Sequence, residues 1–250
     1  MSPRIAVITP YYREALAMLR QCHDSVRAQE IAADHFMIAD GFALDEIDGW
    51  AVRHVKLPGG HDDNGNTPRG LGGLMAKAEG YDFIAYLDAD NWYHAGHLSS
   101  LLALQQKSGS AICSSFRTFH SLSGDELAVH ESDEDALQHV DTSCLLIHRA
   151  SFDILGNWLD IPRVLGPIGD RVFLGGIMHQ GRNIQSTGQR TVAFRTQYAA
   201  HYRAAGLPPP DGAKDADFAA AAQHYLRTPQ GVTECVKAMG FWPLSYLSGF

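Results

Sequence analysis

The chain has 250 residues, 45% hydrophobic and 19% charged, which suits one α/β domain with a full core and a short appendage. Its net charge of -8, with the 20 Lys and Arg spread along the chain, argues against a surface built to hold nucleic-acid phosphates. No apolar run is long enough to cross a bilayer and no leader-like apolar stretch follows Met1, so a cytoplasmic protein that does not span a membrane is expected.

Residues 5–9 (IAVIT) form a short β-branched run, as for a strand buried on both faces. Leu16, Leu19, Cys22 and Val26 then repeat with helical spacing within 13–29. Residues 35–39 (HFMIA) read as a second strand ending at Asp40-Gly41, and 51–57 alternate as a third before Pro58-Gly59-Gly60. A helix is predicted over 71–79, a buried strand over 83–87 (FIAYL) and a helix over 97–106. This βαβαβ order implies a parallel sheet with helices on its faces.

The second half changes character. Residues 110–119 and 143–148 (SCLLIH) are strand-like, 170–179 read as a helix, and 183–186 and 191–195 as two short strands. The Leu207-Pro208-Pro209-Pro210-Asp211-Gly212 cluster breaks the chain. Helices are predicted beyond it over 215–226 and 232–239, as an appendage that packs on the domain or on a partner subunit. Cys22, Cys113, Cys144 and Cys235 are far apart and form no CxxC pair, so they are expected as free, mostly buried thiols and not as a zinc site.

The most informative segment is Leu87-Asp88-Ala89-Asp90-Asn91, where a buried strand runs out into two carboxylates one residue apart. Ligands of open α/β sheets collect at the carboxyl ends of strands. In extended chain the two acids would share a side, and together they could hold one hard divalent cation, magnesium or manganese. A lone DxD also arises by chance, so the assignment leans on its position.

Four segments carry a family resemblance. They are Ile5-Ala6-Val7-Ile8-Thr9-Pro10-Tyr11-Tyr12-Arg13, Ile38-Ala39-Asp40-Gly41, Asn66-Thr67-Pro68-Arg69-Gly70-Leu71-Gly72-Gly73, read as a loop, and the DxD segment. With Ile168-Gly169-Asp170-Arg171, their order resembles that of the family 2 glycosyltransferases across roughly residues 4–205. The resemblance implies an α/β fold of the GT-A type, a Rossmann-like, mostly parallel central sheet with flanking helices, placed over 1–207; the break at the proline cluster sets off a helical extension over 208–250. It also implies a metal-dependent transfer, with inversion, from a nucleotide-sugar to an acceptor hydroxyl. The donor expected is a UDP-sugar ahead of a GDP-sugar, the cofactor Mn2+ or Mg2+, and the acceptor open, with a saccharide among the candidates. A homodimer through the last helices is an option.

Carried over by motif, Thr9, Pro10 and Tyr11 would line the nucleoside pocket and Asp40 would bond the base. Arg69 would meet the ribose or diphosphate, Asp88 with Ala89 would lie near the ribose or a metal-bound water, and Asp90 would ligate the metal. Asp170 would be the general base. These roles agree with simple chemistry: a cation offsets charge on a leaving diphosphate, a guanidinium fork matches phosphate, and a carboxylate takes a hydroxyl proton. Simpler roles stay open, namely a turn cap for Asp40, a surface place at a helix start for Arg69 and a helix N-cap for Asp170. Gly169 stands where the family often has Glu, and Pro68-Arg69-Gly70 where many members have Ala-Arg-Asn.

Of the 13 histidines, His201 is singled out as a metal ligand because some GT-A enzymes bring a late histidine back to the cation. His61-Asp62-Asp63 lies in a glycine-rich stretch that reads as a mobile loop. Trp92 and Tyr93 are either a platform for a sugar ring or anchors in the core, and Trp158 is a candidate border of the acceptor pocket. Two other readings compete. A sugar nucleotidyltransferase would carry a Gly-x-Gly-Thr-Arg-like run after the first strand, where Thr9-Pro10-Tyr11-Tyr12 stands instead. A catalytically inactive nucleotide-sugar-binding or scaffold subunit is disfavoured by the intact Asp88, Asp90 and Asp170.

Overall fold

The computed structural model describes residues 3–129 and 139–247. Strand β1 (Ile5–Tyr11) is buried along its whole length. It is followed by α1 (Leu16–Arg27), β2 (Asp34–Asp40), β3 (Arg53–Leu57), α2 (Asn66–Ala78) and β4 (Phe83–Tyr86). The four strands are parallel in the order β3-β2-β1-β4. Two successive residues show why β1 is apolar throughout. Ile8 points at α2, where a Cβ on Gly72 would come within 2.6 Å of its Cγ2. Thr9 points the other way, its Oγ1 3.7 Å from Cys22 Sγ on α1. Helices therefore cover both faces, and alternation gives way to a continuous apolar run.

The sheet continues through β5 (Trp92–Tyr93), β6 (Ile112–His120), β7 (Glu126–Leu127), β8 (Leu145–His148) and β9 (Gln185–Arg195), with α3 (His97–Ser108) packed over β6, β8 and β9. The nine strands run β3-β2-β1-β4-β8-β6-β9-β5, with β7 on β6. β8 is antiparallel to both neighbours, while β6 and β9 are parallel. The architecture is thus the mixed, mostly parallel α/β sheet that was expected.

Three local differences have physical causes. The predicted loop around Arg69 is the first turn of α2, because Asp63 Oδ2 accepts from the Thr67 amide at 2.8 Å and its hydroxyl at 2.6 Å, and Pro68 is tolerated so early in a helix. The two short strands expected at 183–186 and 191–195 are one strand, β9, whose register shifts against β6 between Ser114 and Arg117 absorb the intervening residues. The DxD segment is a turn, with the Asn91 amide bonded to the Asp88 carbonyl at 3.0 Å, so strand alternation does not set the two carboxylates.

The last third contributes α4 (Asn157–Asp160), α5 (Gly169–His179), α6 (Ala199–Ala204), α7 (Ala220–Leu226) and α8 (Pro229–Met239). After the proline cluster the chain is stitched back by Lys214, whose amide donates to Gln197 O at 2.7 Å and whose carbonyl accepts from Ala199 N at 2.8 Å. The C-terminal segment packs on this chain's own α5: Phe241 stacks on His179 at 5.0 Å and lies against Gly175 and Gly176. The four cysteines are buried free thiols, and no helix among the described residues is long and apolar enough to cross a membrane.

Two core histidines make stability depend on pH. Burial, then the neighbouring His23, lowers His35 to about 3, and burial, then His94, lowers His97 to about 3. Both stay neutral in the fold while the unfolded chain takes up protons below about 6.5. The folded state therefore loses about 1.4 kcal/mol per pH unit for each of them as pH falls from about 6.5 towards 3, and loses nothing from them above 6.5. Urea unfolding at pH 8 and pH 5 should show a drop of about 4 kcal/mol from the pair. A folded His35→Gln, His97→Gln variant should lose most of it, and an unchanged slope in that variant would contradict the assignment.

Candidate active site

The carboxyl ends of β1, β2 and β4 open into a cleft of about 330 Å³. Pro10, Tyr11 and Tyr12 come from β1 and its loop, Asp40 from the end of β2, and Asp88, Ala89 and Asp90 from the turn after β4. Thr9 is not among the lining residues: it is fully buried, its hydroxyl 2.8 Å from His35 Nε2, because the residue between Ile8 and Pro10 faces α1. Tyr11 reaches the cleft from a fixed position, its hydroxyl 2.6 Å from His54 Nε2 and accepting from the Leu44 amide at 3.1 Å.

A second cavity of about 350 Å³ adjoins the first. Its wall includes Arg117 of β6, His139, Asp141, Asp170 at the start of α5, Tyr198, and His201 of α6. Asn64, Arg69 and Asp88 line both spaces. Arg69 Nη2 donates to Asp88 Oδ1 at 2.5 Å and Nη1 to the Asn64 carbonyl at 2.8 Å, so this ion pair stands where the two cavities meet. Burial works against the Arg69 charge, but Asp88 and then Asp170 and Asp141 outweigh it and hold the guanidinium firmly protonated. Gly65 makes the close approach possible. It sits at φ +82°, and a Cβ there would come within 3.2 Å of both Arg69 Nη1 and Pro10.

The acids differ in character. Burial, followed by the Asp88 and Glu14 carboxylates, pushes Asp90 up to about 7. An acid so destabilised as an anion, among other carboxylates, is a natural seat for a cation. Among the described residues no three His, Cys, Asp or Glu side chains form a metal cage. Asp90 and Asp88 offer carboxylate oxygens, the donor type that hard divalent cations prefer. His201 faces the second cavity, its Nδ1 2.7 Å from Thr196 Oγ1, while Asp90 lines the first, so the structure does not bring these two expected ligands into one cavity.

Asp170 is the opposite case. Burial alone would raise it, but the hydrogen bond and charge of His139, then Arg171, hold it down at about 2. The carboxylate is about a quarter exposed and lines the second cavity.

Several contacts escaped the sequence. His61 holds both oxygens of Asp40, its ring N–H at 2.5 Å and its amide at 3.1 Å, so the glycine-rich loop is tied to the end of β2. Glu14 lines the first cleft, and Arg117 pairs with Asp141 at 2.5 Å in the wall of the second. Tyr93 is an anchor, its hydroxyl donating to the Tyr86 carbonyl at 2.5 Å, and Trp158 is buried against Phe173 at 4.1 Å.

Residues 6–158, more than half of the chain, match the family model of glycosyl transferase family 2. The chain belongs to glycosyl transferase family 2. It is a glycosyltransferase. Among solved structures it is similar to S. aureus TarS 1–349 in complex with UDP, with a TM-score of 0.60 and 11% identity over 94% of this chain and 70% of that one. It is also similar to the same fragment in complex with UDP-GlcNAc, with a TM-score of 0.56 and 11% identity over 80% of this chain and 60% of that one. At such identities the likeness is one of fold. No curated protein sequence matches the chain.

The Arg69–Asp88 pair invites a double-mutant cycle in urea. Asp88→Asn should cost about 2–4 kcal/mol because it strands a buried guanidinium, and Asp88→Asn with Arg69→Met should cost clearly less than the two single changes added. Strict additivity would contradict the pairing.

Proposed function

We propose that this glycosyltransferase takes its sugar from a UDP-sugar and passes it, with inversion, to an acceptor hydroxyl held in the second cavity. The observation that carries the proposal is the meeting of the two cavities at Arg69 and Asp88, with an ionised Asp170 in the wall of the second. The similarity to a fold solved with UDP and with UDP-GlcNAc supports the choice of base.

In this reading Pro10, Tyr11 and Asp40 surround the nucleoside, with Asp40 turned by His61. Arg69 meets the diphosphate and Asp88, beside Ala89, orients Arg69 and the ribose. Asp90 is the residue that would hold Mn2+ or Mg2+, and the cation when bound supplies positive charge against the leaving diphosphate. Of the two expected ligands, Asp90 lines the first cavity and would hold the metal in this reading, while His201 lines the second with Asp170. Asp170 accepts the hydroxyl proton as the acceptor oxygen bonds to the anomeric carbon. The bond from that carbon to the diphosphate oxygen breaks on the opposite side, and UDP departs with the electron pair. The ion pairs in the wall keep these charges in place without reorganisation during the reaction.

The test is a transfer assay with UDP-glucose, UDP-galactose and UDP-GlcNAc on a panel of saccharide acceptors, with the anomeric configuration of the product read by proton NMR. The proposal predicts an inverted product and a fall in kcat of about 10²-fold or more for Asp170→Asn, with little change in donor KM. A product of retained configuration, or full turnover by Asp170→Asn, would sink the mechanism.

A further inference from the structure

The support of Asp170 is unlike what the sequence around it suggests. The preceding position is Gly169, and it has no room for a side chain: a Cβ there would come within 2.7 Å of Asn66 Oδ1 and 3.0 Å of its Nδ2. Asn66 is itself almost wholly buried. From its own helix the Arg171 amide donates to its Oδ1 at 2.8 Å. The other oxygen is met from a distant part of the chain. His139 Nε2 donates to Asp170 Oδ2 at 2.9 Å across 31 residues.

The two partners differ in exposure in a telling way. The His139 side chain is 7% exposed while that of Asp170 is 29% exposed. Both side chains line the second cavity, the imidazole more buried and the carboxylate more open to it. One donor on each oxygen fixes the plane of the carboxylate and leaves further lone pairs for a ligand hydroxyl. We infer that His139 is the positioning residue of the base, an imidazole that orients the Asp170 carboxylate towards the acceptor hydroxyl. The inference rests on the reading of Asp170 as the base.

The arrangement has a clear electrostatic logic. Asp170 sees the Arg69 and Arg171 cations, the Asp141 anion and the Tyr198 phenol as well as His139. Arg69 is committed to Asp88, and Asp141 is committed to Arg117. Among the described residues, His139 is the side chain that bonds Asp170 directly. Hydrogen bonds to an ionised group hold it in one geometry, and a displaced acid group costs far more in turnover than in binding.

Two readouts on the same variants test this. The carboxyl of Asp170 is followed by carbon-13 NMR across pH in the wild type, His139→Ala and His139→Gln, and the three are compared for kcat and donor KM. His139→Ala should raise the Asp170 titration midpoint by about one unit and lower kcat about 10- to 100-fold, with donor KM within about twofold. His139→Gln, which keeps a donor N–H, should recover much of the loss. Should His139→Ala not fold, His139→Met fills the space without a donor and replaces it. A folded donor-free variant in which the Asp170 titration is unmoved, or is moved while kcat stays at the wild-type value, overturns the inference. Full turnover by Asp170→Asn would instead remove the base itself and the role of His139 with it. A collapse in Asp170→Asn beside an unaffected His139 variant overturns the role of His139 alone.

Discussion

The site depends on one buried charge, the guanidinium of Arg69. It is almost out of contact with solvent, and its neutralisation falls to Asp88 at 2.5 Å. A buried cation requires a partner, and that requirement ties the first turn of α2 to the turn that follows β4. The rest of the cleft follows from the tie. The turn after β4 brings Asp90 to the first cavity, Gly65 lets the loop pass beneath Arg69, and the second cavity opens on the far side of the same pair.

The charges in the two cavities are handled in opposite ways. Burial, then the Asp88 and Glu14 carboxylates, outweigh Arg195 and push Asp90 up to about 7. Around Asp170 the compensation is more than complete, and the carboxyl is held at about 2. One end of the site is short of positive charge and suits a cation carried in with a diphosphate. The other end keeps a ready anion and suits the loss of a hydroxyl proton. Opposed environments for two carboxylates are how one site can do both jobs at one pH.

The parts of this account that were legible in the sequence are those set by local patterning. The apolar runs of β1, β2 and β4 announced strands covered on both faces, and Asp88-Ala89-Asp90 announced acids at a strand end. Contacts made over long separations left no trace. The antiparallel entry of β8 between β4 and β6 depends on pairings that no local pattern encodes. Thr9 shares a face with Tyr11 but lies two residues deeper in β1, beneath α1 and against Cys22, so it is buried where Tyr11 at the strand end reaches the cleft. His139 joins Asp170 only in three dimensions, and a single histidine among 13 carries no sequence signal for that. The start of α2 was missed because the cap comes from Asp63, on the far side of Gly65.

The central claim is that the cleft at the ends of β1, β2 and β4 binds a nucleoside diphosphate through a cation on Asp90. Calorimetric titration of UDP and of GDP tests it most directly, each with manganese, with magnesium and with EDTA, on the wild type and Asp90→Ala. The account predicts UDP binding that requires the metal and that Asp90→Ala weakens by at least about tenfold. A folded wild type that binds neither nucleotide, or an Asp90→Ala variant that binds UDP with manganese as tightly as the wild type, would contradict it.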